Sequence, residues 1–193
     1  MTDVLDILYS QVKATHPIGE EAWLDMSVCW QPVELGRKQM LTLPGDIEKY
    51  IYFVIDGVQR AYIDHNSKES TLVFSYTHSF SGVIDSFFLQ KPSLYYLETI
   101  TRSKLLRIHY NDFSRLMKQH PDLETWTRIA ITATLAGTLQ RNIELLSFSA
   151  EERFTTLLKR SPQVLNMIPH KYLASYIGVD PTTFSKLLGS VRL

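Results

Sequence analysis

"HKYLASYIGVDPTTFSKLLG", residues His170 to Gly189, decides how the C-terminal part of this chain is read. Its apolar residues fall at Leu173, Ile177, Val179, Phe184 and Leu187, a helical spacing on both sides of a break. Ala174 stands where two crossing helices come closest. Gly178 stands where a tight turn needs a left-handed residue. Asp180 offers a side-chain oxygen as an N-cap, and Pro181 takes the first helical position, where a missing N–H costs nothing. The stretch predicts a helix, a short turn and a second helix sharing one apolar face.

Upstream, "SFSAEERF" starts another helix, with Ser149 and Glu152 spaced as a capping box. Before it runs a Pro-free stretch whose one breaker is Gly137. Ile129, Ala133, Ala136, Gln140 and Ile143 recur there at alternating steps of four and three, a coiled-coil seam. Two parallel helices meeting on that seam predict a homodimer. Earlier still, "NDFSRLMKQHPDL" predicts a short helix ending near Pro121. Between Trp30 and Tyr110 the texture is different. Short β-branched and aromatic runs such as "KYIYFVIDG", "STLVFSY" and "KLLRIHY" alternate with Gly and Pro, which predicts a sandwich, roll or barrel. Residues 3–15 carry Val4, Leu5, Leu8 and Val12 at helical spacing and predict an amphipathic helix.

The 193 residues suffice for one large or two small domains. Their formal net charge is zero, so the whole molecule is no evident polyanion binder. The charge is uneven, however. Residues 151–193 hold six Lys/Arg (Arg153, Lys159, Arg160, Lys171, Lys186, Arg192) against three acids, leaving fourteen against seventeen in residues 1–150. A basic C-terminal piece on an acidic body points mildly to nucleic acid. Cys29 stands alone, which rules out a disulfide or a Cys-x-x-Cys zinc site within one chain. The acidic "MTDVLDILYS" reads as neither a signal peptide nor a membrane span, so a cytoplasmic protein with no membrane partner is expected.

A β-roll, then a long helix, then a helix-turn-helix resembles the Crp/Fnr family of bacterial transcription regulators. "YIYFVIDGVQRAYI" (Tyr50–Ile63) is similar to the family's strand, Gly turn and strand, and "LGRKQMLTLPGD" (Leu35–Asp46) to the unit before it. "FSGVIDSFF" (Phe80–Phe88) takes the place of the phosphate-binding cassette, and "SFSAEERFTTLLKRSP" resembles the helix leading into the DNA-binding domain. The resemblance implies an α+β chain. It places a jelly-roll-like double-stranded β-roll sensor at residues 1–120, a dimerisation helix at 121–147 and an all-α helix-turn-helix domain at 148–193. "SVRL" ends the sequence, so no β-hairpin wing is expected.

The same resemblance implies the site residues. The effector pocket would involve Phe80, Gly82, Val83, Ser93, Leu94 and Tyr95. The family's cyclic-nucleotide binders carry Glu after the cassette Gly and Arg ten residues further on, where this chain has Val83 and Ser93. Without that guanidinium a phosphate loses its strongest hydrogen bonds. The usual mode of cyclic AMP binding is therefore not expected, and the effector is either another small molecule, with Phe87, Phe88, Tyr95 and Tyr96 suggesting an apolar or aromatic one, or none. DNA contacts are implied for Lys171, Thr182, Thr183, Ser185 and Lys186. Thr182 and Lys186 stand at base-reading positions, and Thr183 and Ser185 are suited to phosphate. The implied partners are a palindromic DNA operator, a second copy of the chain and RNA polymerase.

Two other readings stay open. One is a dimeric ligand-binding or protein-interaction module that has lost DNA binding. The other is a cupin-like metalloenzyme, whose site needs a His-x-His pair with a further Glu and His. His65, His78 and His109 are single, and no Ser-His-Asp elbow, GxxxxGK loop or HExxH occurs. No catalytic residue, metal ligand or cofactor is expected.

Overall fold

A computed structural model of the chain describes residues 2–190, so Arg192 and the last part of "SVRL" lie outside the described residues. Two helices come first, α1 (Thr2–Thr15) and α2 (Glu20–Ser27). The second had no counterpart in the sequence reading. Eight strands follow: β1 (Gln31–Leu35), β2 (Met40–Thr42), β3 (Tyr50–Asp56), β4 (Val58–His65), β5 (Lys68–Tyr76), β6 (Phe80–Ser81), β7 (Tyr96–Thr99) and β8 (Ser103–His109). The short helix α3 (Ile84–Leu89) sits between β6 and β7. Then come α4 (Tyr110–Gln119), α5 (Pro121–Ser147), α6 (Ala150–Arg160), α7 (Val164–Met167), α8 (His170–Tyr176) and α9 (Pro181–Ser190). The chain is thus an α+β protein with a jelly-roll-like β domain, a long helix and C-terminal helices, as the sequence led one to expect.

The strands form two four-stranded sheets, ordered β1-β8-β3-β6 and β2-β7-β4-β5. β8 is central to the first, antiparallel both to β1, with Gln31 opposite Arg107, and to β3, with Ile51 opposite Ile108. β4 and β5 are joined through Asn66 and Ser67, whose φ angles of 53° and 61° make the left-handed pair that suits the twist of a two-residue hairpin.

The chain packs as two compact units, Met1–Ala61 with Phe74–Thr134 and Tyr62–Val73 with Leu135–Leu193. The core of the first unit joins Leu8 and Val12 of α1, Ala22 and Met26 of α2, Trp30 just before β1, Ile51, Phe53, Leu106 and Ile108 of the sheet, Phe113 and Leu116 of α4, and Leu123 and Trp126 of α5. His109 has a structural task here: its Nδ1 accepts from the Asn111 N–H and caps α4. The core of the second unit includes Phe154, Leu157, Leu158, Leu173, Ile177 and Phe184. Among the described residues no helix is long and apolar enough to cross a membrane, and no group of three His, Cys, Asp or Glu stands close enough to hold a metal ion.

Within the first unit, the Arg60 guanidinium on β4 is buried and donates from Nε to Glu98 Oε1 of β7 at 2.6 Å. Removing one member of such a pair leaves an uncompensated buried charge. Glu98→Ala is expected to destabilise this unit by about 3 kcal/mol, read as a lower urea midpoint at unchanged slope. An unchanged midpoint would mean that other groups suffice to hold Arg60.

Candidate functional site

The turn from β6 into α3 is built for a close approach. Gly82 has φ 145°, and a Cβ there would lie 3.3 Å from the Tyr50 carbonyl oxygen. Val83 after it is fully buried, and its N–H points to Glu48 Oε2 at 3.4 Å. Glu48 is itself buried, and its carboxylate also accepts from the Thr42 hydroxyl at 2.5 Å and from the N–H groups of Lys49 and Tyr50. Burial pushes its pKa up, and these hydrogen bonds pull against that rise. The Glu48 amide in turn donates to Ser86 Oγ, fixing the carboxylate's base to α3. A carboxylate therefore does lie against the cassette turn, but it comes from the loop before β3 and is occupied by protein groups. Sequence reading missed it, because nothing local marks Glu48 as buried.

Ser93, in the place of the family's arginine, is buried and serves its own turn. Its hydroxyl donates to the Tyr95 carbonyl at 2.6 Å and accepts from the Tyr95 N–H, while its backbone pairs with Gly45 and Asp46. Leu94 is exposed. The Tyr95 hydroxyl donates to Asp85, and burial, with that carboxylate, drives its pKa upward. The six residues named for the effector pocket thus do not line one cavity. Of them Phe80 alone borders the apolar cavity described next, and none borders the cavity among β1, β2, β3 and β8.

The first cavity, of about 410 Å³, is apolar. Trp30, Phe80 and Trp126 form its aromatic wall, with ring centroids of neighbouring pairs 6.5 and 5.4 Å apart, and Ala130, Ile131 and Ala133 of α5 close another side. The second, of about 650 Å³, opens among β1, β2, β3 and β8 and is lined by polar and apolar groups alike. Arg107 lines it with its guanidinium over the Tyr50 ring at 4.5 Å and its buried Nε without an acceptor.

In the second unit α8 ends in a Schellman turn: Val179 N–H reaches the Ala174 carbonyl, Gly178 N–H reaches Ser175, and Gly178 has φ 69°. Asp180 caps α9, accepting from the Thr183 N–H at 2.9 Å and from the Thr183 hydroxyl at 2.6 Å. Phe184 is fully buried, edge-on to Phe154 at 5.3 Å, as Leu173 and Ile177 are buried on α8. Lys171, Thr182, Ser185 and Lys186 are exposed. Two of the five residues named for DNA have a local use: the Thr183 hydroxyl belongs to the cap, and the Ser185 hydroxyl donates to the Pro181 carbonyl at 2.9 Å. The Lys171 ammonium lies 4.7 Å over the Tyr172 ring.

The upstream cations differ from the sequence reading too. Arg160 grips Glu144 with both carboxylate oxygens, at 2.7 and 2.8 Å, and Arg153 donates to the Leu145 carbonyl. Lys159 stays exposed. The β4–β5 hairpin end also belongs to this unit. Ser175 Oγ accepts from the Thr71 N–H and donates to the Glu69 carbonyl, and Arg141 joins the Thr71 and Tyr176 carbonyls at 3.0 and 2.7 Å. Burial pushes the Arg141 guanidinium below its ordinary pKa.

Of the seam residues on α5, Ile129 is half-buried, while Ala133, Ala136, Gln140 and Ile143 are exposed. The exposed large apolar residues of this helix form a stripe that shares only Ile143 with the seam: Ile131, Leu135, Leu139, Ile143 and Leu146.

Residues 32–120 match the family model of the cyclic nucleotide-binding domain. No curated protein sequence matches the chain. Among solved structures it is similar to FixK2 from Bradyrhizobium japonicum, with 12% identity, TM-score 0.73 and 83% of each chain covered. It is similar to the c-di-GMP responsive global regulator CLP of Xanthomonas campestris, with 16% identity, TM-score 0.67, and 89% of this chain and 90% of that one covered. It is also similar to the Thermus thermophilus catabolite activator protein, with 22% identity, TM-score 0.57, and 92% and 88% covered. These likenesses show the fold.

The Thr183 hydroxyl and amide hold the Asp180 carboxyl below its ordinary pKa of 3.8. A depressed carboxylate contributes stability that is complete above its unfolded pKa and lost as pH falls through the folded one. Exchange of the Thr183 amide is expected to be protected at pH 5, to lose protection below about pH 3.8, and to be fast at both pH values in Asp180→Ala. Equal protection in parent and variant would show that the cap contributes nothing.

Proposed function

We propose that this chain is a dimeric transcription regulator of the Crp/Fnr type, binding DNA through α8 and α9 and answering to a small effector other than a cyclic nucleotide. One observation carries the DNA reading. The Gly178 turn and the Asp180 cap fix α9 to α8 by its buried Phe184 and leave Thr182 and Lys186 exposed on its other side. That is the arrangement in which a second helix enters a major groove. The match of residues 32–120 to the cyclic nucleotide-binding domain supports the sensor half. Its effector is not a cyclic nucleotide held in the usual way, because a phosphate brought to the Gly82 turn meets the Glu48 carboxylate and no guanidinium at position 93. Calorimetry with cyclic AMP and cyclic GMP is expected to show no binding at physiological concentrations, and low-micromolar binding of either would overturn this part.

A second copy of the chain supplies what α5 lacks. Residues 135–140 are exposed around the whole helix, so this stretch gains little packing of its own. The stripe from Ile131 to Leu146 and the small Ala133, Ala136 and Gly137 suit a parallel helix of the same sequence. Leu139→Glu would set like charges into that contact, and it is expected to sediment as a monomer. Dimers at the parent's concentration dependence would show that another face associates.

A selection of random duplexes by the purified protein tests the DNA reading. It is expected to enrich a near-palindrome with half-sites about one helical turn apart. With three to five phosphates neutralised per dimer, log affinity falls with log salt at a slope of about −3 to −4.5. Lys186→Ala should cost on the order of 1–3 kcal/mol with relaxed preference at one base per half-site if it grips guanine. If it grips phosphate, binding weakens evenly and the slope shrinks by about two per dimer. The commitment of Thr183, Ser185, Arg153 and Arg160 within the protein favours one rival, a dimeric module without DNA binding. No enriched palindrome, with Lys186→Ala silent, would establish it.

A further inference from the structure

Arg107 on β8 stands directly opposite Tyr52 on β3, so the two side chains share one face of the sheet. Both line the cavity among β1, β2, β3 and β8. The Arg107 guanidinium lies over the Tyr50 ring at 4.5 Å, yet it makes no hydrogen bond or ion pair with any described residue. Its Nε is sealed from water and can meet no ligand. Its two terminal nitrogens are also unpaired, and they are not sealed. The Tyr52 hydroxyl has no partner either and is not sealed, although Tyr52 is only 5% exposed. A side chain buried that deeply meets water only in the cavity it lines. Charged groups drawn out of bulk water are ordinarily paired, and the half-buried Arg107 is not. The cavity beside it, of about 650 Å³, is within the range of small-molecule sites.

We propose that this cavity binds a small organic acid, one carboxylate on an apolar, ring-containing body, whose carboxylate takes the two terminal nitrogens of Arg107 and the Tyr52 hydroxyl. The planar guanidinium fork matches a carboxylate in two parallel hydrogen bonds. One such cation matches one negative charge. Glu48 and Asp46 also line the cavity, each already accepting N–H groups of its own loop, and they repel a second negative charge. Lys49, the other cation in the lining, is exposed and screened. The rings of Tyr50 and Tyr52, with Val33, Leu35, Leu41 and Ile47, give the body its apolar wall. The site is separate from the cassette turn: none of Gly82, Val83 and Ser93 lines it, and its cation comes from β8. The inference rests on the effector half of the proposed function, whose ligand class it names, and not on its DNA half.

Equilibrium dialysis of the full chain, with no DNA present, against 2-naphthoate, 2-naphthamide and 2-naphthyl phosphate tests it. The first two share ring and shape and differ in a carboxylate against a neutral amide. The acid is expected to bind about tenfold tighter than the amide, the reach of charge-assisted over neutral hydrogen bonds. The phosphate, with its second charge, should bind more weakly than the acid. Arg107→Met keeps an apolar stem and removes the fork, and should bring acid and amide to equal affinity. Arg107→Lys, which keeps the charge without the fork, should restore part of the preference, and Tyr52→Phe should weaken the acid more than the amide. Four outcomes overturn the proposal: no binding of the acid up to its solubility, equal binding of acid and amide by the parent, a phosphate that outranks the acid, or an acid preference that survives Arg107→Met. The parent's own preferences are read without any variant, so a misfolded variant does not shield the proposal. Low-micromolar binding of cyclic AMP fails the effector reading, whereas a missing acid preference fails this inference alone.

Discussion

The start of α5 is held by two hydrogen bonds, and most of what the first unit offers follows from them. The Gly19 amide donates to the Asp122 carboxylate, and the Trp126 indole donates to the Val12 carbonyl. Both anchors lie in the α1–α2 region, so the first two turns of α5 are bound into the core with Leu123 and Trp126 buried. An indole that large, once desolvated, stabilises strongly only when its N–H is paired. Pairing it with Val12 sets the wall of the apolar cavity. Between Ala130 and Arg141 the same helix presents an unbroken run of ten exposed residues. Its apolar stripe is what the proposed dimer would cover, since most helical stability comes from packing an apolar face.

Two buried charges of the roll are spent internally. Arg60 is taken by Glu98, and Glu48 is taken by Thr42, Lys49, Tyr50 and Val83. In a cyclic-nucleotide pocket a guanidinium and a carboxylate would be aimed at the ligand. Here each is saturated by protein groups, and Ser93 closes its own turn. At the Gly82 approach the polar groups of Glu48 and Ser93 are satisfied within the protein. Behind Phe80 lies a cavity of about 410 Å³ with a mainly apolar lining.

The second unit shows a similar economy. Its helix pair is rigidly capped and turned, but the cap consumes the Thr183 hydroxyl, and Glu144 consumes Arg160. Thr182, Lys171 and Lys186 are what remains exposed for recognition, with Lys159 further back. On the proposed DNA reading, few cations mean a weak non-specific component and an affinity carried by the base contacts.

The sequence by itself determined the features that are decided within a few residues. Gly178, Asp180 and Pro181 impose the turn, the cap and the start of α9, and Ser149 with Glu152 makes the capping box of α6. These are choices of backbone angle and of donors no more than four residues away, which the local residue types fix. The strand texture and the unbroken stretch of α5 were legible for the same reason. α2 was not, since its eight residues start from Gly19 without a side-chain cap and carry only a weak apolar pattern. The site chemistry was decided by the tertiary structure. Glu48 meets Val83 across 35 residues, Thr71 meets Ser175 across 104, and Trp126 meets Val12 across 114. Whether a carboxylate, a hydroxyl or an indole is satisfied depends on which distant group packing brings beside it. No residue type or local spacing encodes that pairing, which is why Thr183 and Arg160 read as free in the sequence and are bound in the fold, and why Arg107, which has no ion-pair partner, did not stand out at all.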